Sequence, residues 1–483
     1  MQGIKNRHQL KVLTDDQVET IHEASLKILE KTGVRIDSED AAKRLIKNGA
    51  SRHATRKSVL TFPRSMTEDA IKKLPRYSKS YARDPKNDMV FDGETTYAHC
   101  EGGNPSTYDL ETGRSRMSTY KDLTEFARIM DALENCHSCG NVVVATDVHP
   151  NLIVLKTMEA LIKSTSKCVS SYALKIEEVD ALYRMWCAVA GGEEELRKRP
   201  MCSLYGSPSS PLTYDEHVCD VMLKAMDYGI PVDLVPCPIC GGTAPLTLAG
   251  GLAQQNAETL AGLMLLQTVD VKAAPMYSGR LSMMDPRTGR SVWGNPEMAL
   301  ASAATVQIAH KYHMVADVYG VTTDAHDWDI QPGLERMLAA LVPAMAGADD
   351  LSGMGGLWDN SSSLEMLVID NEIYADVFRA IKGVSVDSDR LALDIIDKVG
   401  PMGNFLAQAH TMKYLKLGDL RISNLFDKRT SEKANKEGIR PLQKVAKEAA
   451  LKILREHEVK PVENLKELDR VIKEEEKKLL RLG

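Results

Sequence analysis

The sequence predicts an α/β protein built on a (β/α)8 TIM barrel, with mostly helical extensions at both ends. Apolar strand-like runs recur eight times from about residue 95, and helical patterns lie between most of them. This alternation is typical of parallel β/α architectures. A doubly wound open sheet is the main alternative, but no GxGxxG fingerprint opens an early helix.

The barrel is predicted for residues 86–384. The strand-like runs cover residues 95–99, 140–146, 167–172, 201–206, 231–236, 274–278, 315–321 and 349–353. The helical patterns cover residues 120–133, 151–164, 176–190, 215–228, 246–267, 296–310, 332–345 and 363–381. In such barrels functional residues follow the C-terminal ends of the strands, so the ends of these runs are the places to search.

The extensions are predicted to cover residues 1–85 and 385–483. Thr14 is placed to cap the first helix, because helically spaced apolar residues follow it. The N-terminal pieces resemble a cap or interface element. The C-terminal run KELDRVIKEEEKKLLRLG is most simply a solvated helix face, with an oligomer or partner contact as the alternative. Extensions at both ends favour self-association into a homo-oligomer.

Composition excludes some functions and favours a location. The formal net charge is −6, which argues against nucleic acid or an anionic membrane as partner. Gly, Pro or polar residues interrupt every apolar stretch before it reaches membrane-spanning length. The first residues, MQGIKNRHQLKVLTDDQ, are too polar for a signal peptide, so a cytoplasmic protein is expected.

The nine cysteines do not suggest a disulfide framework, because the number is odd and the chain looks cytosolic. Two pairs, Cys136/Cys139 and Cys237/Cys240, have CxxC spacing. A zinc ribbon is one interpretation, but the pairs lie far apart in sequence. Buried thiols at strand ends are the preferred interpretation, and no bound metal is expected.

Residues 230–267 combine a strand, a glycine turn and a long helix of small residues. The turn Gly241-Gly242-Thr243 could hold an anion through its N–H groups, or it could serve only as a tight turn that brings the helix close to the strand. For a substrate with a carboxylate, that group would be the anion. The polar residues inside the helix, Gln254 to Asn256, are interpreted as buried hydrogen-bonding anchors.

Three other strand ends carry polar or aromatic clusters. His99 and Glu101 lie two residues apart, so they point to one side of a strand, either as a buried pair or as part of a site. Arg280 could bind a carboxylate or form a structural ion pair. The run from Tyr319 to Gln331 combines aromatic rings, carboxylates and a histidine, a mixture that favours a site.

The motifs of nucleophilic and metal-dependent hydrolases are absent from the sequence, which has no GxSxG, HExxH or P-loop. Aromatic rings and carboxylates at the strand ends suit a cationic ligand instead. A quaternary ammonium group would be attracted to the ring faces by cation–π interaction and to the carboxylates by Coulomb attraction.

Several segments resemble the trimethylamine methyltransferase superfamily over nearly the whole chain. They are LTDDQVETIHEASLKILEKTGVRI, GGTAPLTLAGGLAQQNAETLAG, GNPEMALASAATVQIAHKY, TTDAHDWDIQPGLE, SSSLEMLVIDNEI and GPMGNFLAQAHTMKYL. Archaeal members carry pyrrolysine in the active site, whereas this chain has only standard residues. It therefore resembles the non-pyrrolysine branch, whose members demethylate glycine betaine, proline betaine, carnitine or γ-butyrobetaine.

The resemblance implies a TIM barrel that passes a methyl group to the Co(I) corrinoid of a separate small protein, in the one-carbon metabolism of methanogenesis or acetogenesis. Residues matched to the family segment near the reacting centre are Asp324, His326 and Gln331. Candidate residues for enclosing the substrate cation are Tyr97, Tyr319 and Trp358, and Tyr277 is a further candidate for binding the substrate. Candidates for the substrate's other end are His99, Glu101, Arg280, Gly241, Gly242 and Thr243.

His410 matches another family segment and is expected either to face the corrinoid partner or to be structural. Glycine betaine is the first expected substrate. The alternatives are methyl transfer from a tertiary amine, and a barrel that binds a betaine or a corrinoid protein without turnover.

Overall fold

The computed structural model describes residues 3–6, 9–75, 78–100, 102–269, 275–357 and 360–482. Within these residues, eight parallel strands pair in sequence order, and the last pairs back with the first. The predicted (β/α)8 barrel is therefore confirmed. The barrel strands are β1 Thr95–Cys100, β2 Ser138–Cys139, β3 Cys168–Ser171, β4 Cys202–Gly206, β5 Val232–Leu234, β6 Met276–Gly279, β7 Val315–Tyr319 and β8 Asp350–Ser352.

The second strand lies before the predicted run at residues 140–146, so that prediction was wrong. Ser138 and Cys139 pair with β1 and β3. The apolar run that follows is a buried loop whose carbonyls bond to neighbouring loops: Val142 O accepts from Asn104 N at 3.0 Å, and Val144 O from Ser118 Oγ at 2.6 Å. Burial rather than strand pairing explains its apolar character.

The helices follow the sequence pattern to within a few residues. Three belong to the N-terminal extension: α1 Asp15–Lys27, α2 Glu39–Lys47 and α3 Arg64–Lys72. Nine follow barrel strands: α4 Tyr120–Ala132, α5 Ile153–Ser164, α6 Ile176–Ala190, α7 Glu193–Lys198, α8 Glu216–Asp227, α9 Leu248–Leu266, α10 Pro296–Lys311, α11 Ile330–Ala346 and α12 Leu364–Ile381. The described C-terminal helices are α13 Ser388–Leu391, α14 Leu393–Val399, α15 Ala409–Lys416, α16 Ser431–Glu437, α17 Leu442–Glu456 and α18 Leu465–Leu479.

Helix α9 is buried on nearly every side, and its internal polar residues are hydrogen-bonded, as predicted. Asn256 Nδ2 donates to Ser25 Oγ of α1 at 2.9 Å and to Tyr312 Oη at 2.8 Å. Gln255 Nε2 donates to Thr305 Oγ1 of α10 at 3.0 Å. These bonds connect the N-terminal extension, α9 and α10, and of the amide atoms involved only Gln255 Oε1 is buried without a hydrogen-bond partner.

Close packing beneath α9 requires glycine at position 262. A Cβ there would lie 2.2 Å from Tyr214 Oη and 2.6 Å from Leu234 Cδ2. Because both neighbours are fully buried, neither has room to move.

The N-terminal extension is a helical layer with a small sheet. Thr14 caps α1 in a capping box with Gln17, as the sequence predicts. Strands Val34–Ile36, Val59–Thr61 and Ser51–Arg52 form a sheet that Thr213–Tyr214, from a barrel loop, extends. This pairing and the bonds of α9 fix the extension to the barrel.

Helix α18 is more than the solvated face expected of its charge run. Leu468, Val471, Ile472 and Leu479 are buried on one side of it, and the helix packs against α6. Glu475 is also buried and pairs with Arg184 of α6. The charges are therefore divided between solvent and an intramolecular interface. No helix in the described part of the chain is both long and apolar enough to span a membrane.

The N-terminal end of the barrel carries an ion pair with a pH-dependent strength. His310 Nε2 lies 2.8 Å from Asp349 Oδ2, which also accepts from Ala316 N at 2.8 Å. Burial alone would lower the pKa of His310, but the hydrogen bond and charge of Asp349 outweigh it and raise that pKa above its ordinary value. The imidazolium is thus stabilised in the folded state.

We predict that His310→Gln will lower the free energy of unfolding by about 1 kcal/mol at pH 6 and by less at pH 9. A raised histidine pKa stabilises the fold fully below the unfolded pKa, and this contribution disappears as pH rises through the folded pKa. Urea unfolding at both pH values measures the difference. An equal loss at both values would contradict the predicted charge dependence, and the exposed His313, substituted in the same way, is the matched control.

Candidate active site

The interior of the barrel contains a buried carboxylate held by an arginine and a histidine. Asp317, in the middle of β7, accepts from Arg280 Nη2 at 2.6 Å and lies 3.0 Å from His99 Nε2. Arg280 Nη1 also donates to the Asp317 carbonyl at 2.9 Å. Burial would raise the pKa of Asp317, but the charges of Arg280 and His99 hold it well below its usual range. Asp317 is therefore ionised at neutral pH.

Other polar groups share this interior. Asp233 accepts from Met276 N at 3.2 Å, Tyr205 donates to Ser170, and Asp350 neighbours Asp317 in strand register. Together with His99 and Asp317, these groups line a cavity of about 50 Å³, enough for a few water molecules. Each acid sits at an inward position of an apolar strand, so the interior is polar where an ordinary core would be apolar.

At the C-terminal mouth of the barrel, two aromatic rings and a guanidinium are in contact. The Arg280 guanidinium lies over the Tyr319 ring, 5.0 Å from its centroid. The Trp293 indole contacts the Tyr319 ring in an edge arrangement. The two ring centroids are 5.0 Å apart, and the angle between the ring planes is 74°. Tyr319 and Trp293 are both half-buried, so their rings reach open space at the mouth.

The predicted loop after β7 fixes the position of this indole. Asp324 Oδ2 accepts from the backbone N–H groups of Trp293 at 2.7 Å and Gly294 at 2.6 Å. Thr322 Oγ1 donates to the Trp293 carbonyl at 2.6 Å. Burial raises the pKa of Asp324, although the two N–H groups oppose that shift. The Asp324 carboxylate thus orients the Trp293 indole at the mouth.

Glu335 of α11 holds the loop itself. Its Oε2 accepts from Thr323 Oγ1 at 2.5 Å and from Asp324 N at 2.8 Å, and its Oε1 accepts from Gln331 Nε2 at 2.7 Å. The backbone of Gly294 passes so close that a Cβ there would lie 2.3 Å from the Glu335 carboxyl. Glycine at position 294 therefore leaves the space that this carboxylate occupies.

Five of the residues singled out from the sequence lie in one chain of contacts. They are His99, Arg280, Tyr319, Asp324 and Gln331. The residues that connect them, Asp317, Trp293 and Glu335, were missed by the sequence analysis. A carboxylate inside the apolar run VADVY was the available signal for Asp317. Glu335 ends the segment TTDAHDWDIQPGLE but was not singled out, and Trp293 gave no signal.

Two predicted substrate-binding residues lie elsewhere, and a site role does not fit their positions. Tyr97 is at the N-terminal end of the barrel, where its hydroxyl bonds the backbone of Val90 and its ring packs against Phe91. Tyr277 points out of the barrel, and its hydroxyl donates to Asn256 of α9 at 3.3 Å. Alternate residues of a strand face opposite sides, so Tyr277 cannot face the interior with Ser278.

The Gly241-Gly242-Thr243 turn also has a structural explanation. The N–H groups of Gly242 and Thr243 donate to Ile239 O, and that of Gly241 donates to Ala244 O. None of the three N–H groups is left to hold an anion, so the predicted anion site does not fit. The turn instead borders a small sheet in which Ile239–Cys240 pairs with Ser282–Met284, next to the strand Ser291–Val292 that precedes Trp293.

Of the four remaining candidate residues, His326 and His410 lie among the described residues. His326 is exposed on the loop after β7. Glu101 and Trp358 lie outside the described residues. His410 lies in α15, where its Nε2 is 3.0 Å from the Asp389 carbonyl in the C-terminal extension.

The cysteines of the two CxxC pairs differ in exposure. Cys136, Cys139 and Cys240 are buried as predicted, whereas Cys237 is exposed. Among the described residues, the one group spaced for metal binding is Glu19, His22 and Glu23, and it contains no cysteine.

We predict that Glu335→Ala will loosen the loop of residues 322–331 without unfolding the barrel. Removal of the carboxylate breaks three hydrogen bonds, so amides of this loop should exchange with solvent at least about tenfold faster. Hydrogen–deuterium exchange with mass spectrometry measures the change. Gln331→Ala, which removes one of the three bonds, is the matched control and should have a smaller effect. Unchanged exchange in Glu335→Ala would contradict the role assigned to this carboxylate.

Comparison with known proteins identifies the family. A family model described as trimethylamine methyltransferase (MTTB) matches residues 1–477. The trimethylamine methyltransferase MttB of Desulfitobacterium hafniense (strain DSM 10664 / DCB-2) is 30% identical over 450 residues, which are 93% of this chain and 90% of that protein. A glycine betaine methyltransferase of Desulfitobacterium hafniense (strain Y51) is 30% identical over 405 residues, 83% of this chain and 84% of that protein.

The fold agrees with this assignment. The monomethylamine methyltransferase (MtmB) of Methanosarcina barkeri, a solved structure, is similar with a TM-score of 0.54 and 14% identity, covering 99% of this chain and 90% of that one. At this identity the similarity supports the fold alone, whereas the family match spans nearly the whole sequence. This chain belongs to the trimethylamine methyltransferase family.

Proposed function

We propose that this methyltransferase moves a methyl group from a quaternary amine to the Co(I) corrinoid of a separate small protein and releases a tertiary amine. The observation that carries the proposal is the pair of aromatic rings, Trp293 and Tyr319, that meet edge to face at the barrel mouth, near the ionised Asp317. Aromatic faces and carboxylates attract a quaternary ammonium, and more strongly where water is excluded.

The chemistry explains why such a site needs no proton donor. The corrinoid supplies the electron pair that forms the new bond to the methyl carbon. The electrons of the broken C–N bond stay on nitrogen, which leaves as a neutral tertiary amine. The chain has to bind the cation, remove its water and aim one methyl group outward.

In this proposal each member of the site has a physical task. Trp293 and Tyr319 form walls around the methyl groups, and Asp324 holds the Trp293 backbone so that the indole cannot turn away. Asp317 balances the charge of Arg280, which would otherwise repel the ammonium. His326, exposed on the same loop, stays a candidate beside the reacting methyl group.

An apolar rim around the mouth supports the proposed protein partner. Large apolar side chains are exposed in loops or helix starts that follow barrel strands, which is the mouth side of the barrel. They are Met117, Leu174, Ile176, Leu246, Ile330 and Leu334. A corrinoid protein that delivers its cofactor to the site must cover this rim, and exposed apolar residues of this kind mark protein interaction sites.

Glycine betaine is the first candidate substrate, and the relative named a glycine betaine methyltransferase supports it. Proline betaine, carnitine and γ-butyrobetaine are the next candidates. In the proposal, the carboxylate of such a substrate competes with Asp317 for Arg280. We also propose that the protein is cytoplasmic and acts as a homo-oligomer, as the two extensions predict.

The deciding experiment incubates the protein with reduced Co(I) cobalamin and a panel of methylated amines. Spectroscopic loss of Co(I) and release of the matching tertiary amine should occur with one quaternary amine and not with trimethylamine. Turnover of trimethylamine alone would favour a tertiary-amine donor instead. Saturable binding of a betaine without turnover, in the presence of Co(I) cobalamin and of corrinoid proteins, would favour a binding protein.

We predict that Trp293→Leu will raise KM for the quaternary amine about tenfold or more, because an aromatic wall of a cation site contributes roughly 1–2 kcal/mol. Initial rates at varied substrate concentration measure this change. Trp186→Phe, in the buried core far from the mouth, is the control for loss of an indole. An unchanged KM would remove Trp293 from the cation site.

We predict that the double variant Ile330→Glu, Leu334→Glu will slow methylation of the protein-bound corrinoid but not of free cobalamin. Both side chains are highly exposed, so the substitutions leave the barrel core intact. Two charges on the rim oppose docking of an apolar partner surface. Rates with the two acceptors, measured side by side, test this. Equal slowing with both acceptors would indicate damage to the catalytic loop, and no slowing would exclude this face from docking.

A further inference from the structure

The C-terminal arm, residues 384–422, exposes more large apolar side chains per residue than the rest of the described chain. Thirteen of its large apolar side chains are more than a third exposed, and Met402 is fully exposed. The most exposed members are Val384, Val386, Leu393, Met402, Leu406 and Ile422. Isolated exposed leucines are normal on proteins, but a continuous segment of them marks an interface.

The arm has almost no core of its own. Helices α13 and α14 bury no residue, and α15 buries only Tyr414. Helices this short are unstable in water unless packing stabilises them. The arm therefore needs a partner to which its apolar face can pack.

Five of the ten Asp, Lys and Arg side chains of the arm form ion pairs within it. Arg390 pairs with Asp387 at 2.6 Å and with Asp419 at 3.2 Å. Asp389 accepts from Lys413 and Tyr414. Such exposed pairs add little stability, but they leave the apolar side chains as the main surface offered outward. An apolar interface of this kind is typical of permanent rather than transient association.

The position of the arm argues against the corrinoid partner as its occupant. Barrel helices run from the mouth towards the opposite end, and the arm leaves α12 at its C-terminal end. Arg379 Nη2 donates to the Asp419 carbonyl at 3.0 Å, and Arg421 pairs with Glu372, so the arm returns along α12. It thus starts far from the mouth, where the corrinoid has to enter.

The exposed area is sufficient for a stable dimer. Full burial of a large apolar side chain removes roughly 100 Å² from water. The thirteen side chains are about two thirds exposed on average, so the arm offers on the order of 800 Å². A standard interface buries about 800 Å² on each partner.

We infer that the arm is the contact by which two copies of this chain associate, with a second copy as its occupant. The inference names the surface of the proposed homo-oligomer and does not depend on the proposed chemistry. Its test measures mass rather than methyl transfer, so either can fail without the other.

The experiment is sedimentation velocity of the full chain at several micromolar concentrations. The parent protein should be a dimer or larger, and the double variant Met402→Lys, Leu406→Lys should sediment as a monomer. Circular dichroism and the melting curve of the barrel should stay intact, because neither side chain is buried. The matched control is Leu174→Lys, Leu246→Lys, two exposed apolar residues at the mouth, which should keep the parent mass.

Chemical cross-linking gives a second readout that does not require the arm variants to fold well. In a Cys237→Ser background, which removes the exposed native thiol, Met402→Cys should form covalent dimers with a bismaleimide. A cysteine in place of Leu174 should not. A monomeric parent, an arm variant of unchanged mass, or capture of the arm only by another protein would each overturn the inference.

Discussion

The structure depends on one buried carboxylate, Asp317, and on the arginine and the histidine that hold it. A carboxylate inside a barrel is costly to desolvate, and breaking such a pair by removing one partner costs roughly 3–5 kcal/mol. The pairing therefore fixes Arg280 at the rim of β6 and His99 on β1. Because Arg280 lies over Tyr319, and Tyr319 meets Trp293, the geometry of the mouth follows from the ion pair below it.

The fold could be predicted because its signals are local and periodic. Helical spacing of apolar residues predicted every barrel helix except the short α7, Glu193–Lys198, and small residues identified α9 as a helix packed close to the barrel. The position of the second strand was predicted wrongly, because residues 140–146 are as apolar as a strand but form a loop that is buried against neighbouring loops. An apolar composition indicates that a segment is buried. Only its hydrogen-bonding partners show whether the buried segment is a loop or a strand. Likewise, the many charged residues of α18 led to the prediction of a solvated helix, although one side of this helix is apolar and buried.

The site could be predicted only in part, because its members are distant in sequence. Polar and aromatic residues at the ends of predicted strands indicated His99, Arg280, Tyr319 and the loop with Asp324 and Gln331. The prediction that Tyr277 binds the substrate does not fit, because alternate residues of a strand face opposite sides and Tyr277 faces α9. The alternation of side chains along β6 could have been read from the sequence. Glu335 resembles any helical glutamate until the fold brings it to residues 323, 324 and 331. Only tertiary structure makes that carboxylate the centre of the loop.

The two exposed apolar surfaces have different designs, and the difference follows from what each must do. The rim at the mouth is a ring of separate side chains around an open site, which suits a partner that must arrive, react and leave. The arm is a continuous apolar segment whose helices lack a core, so it gains stability only while it is covered. Because the arm starts at the C-terminal end of α12 and the rim lies at the mouth, the proposed permanent association through the arm would leave the mouth free for the proposed transient partner.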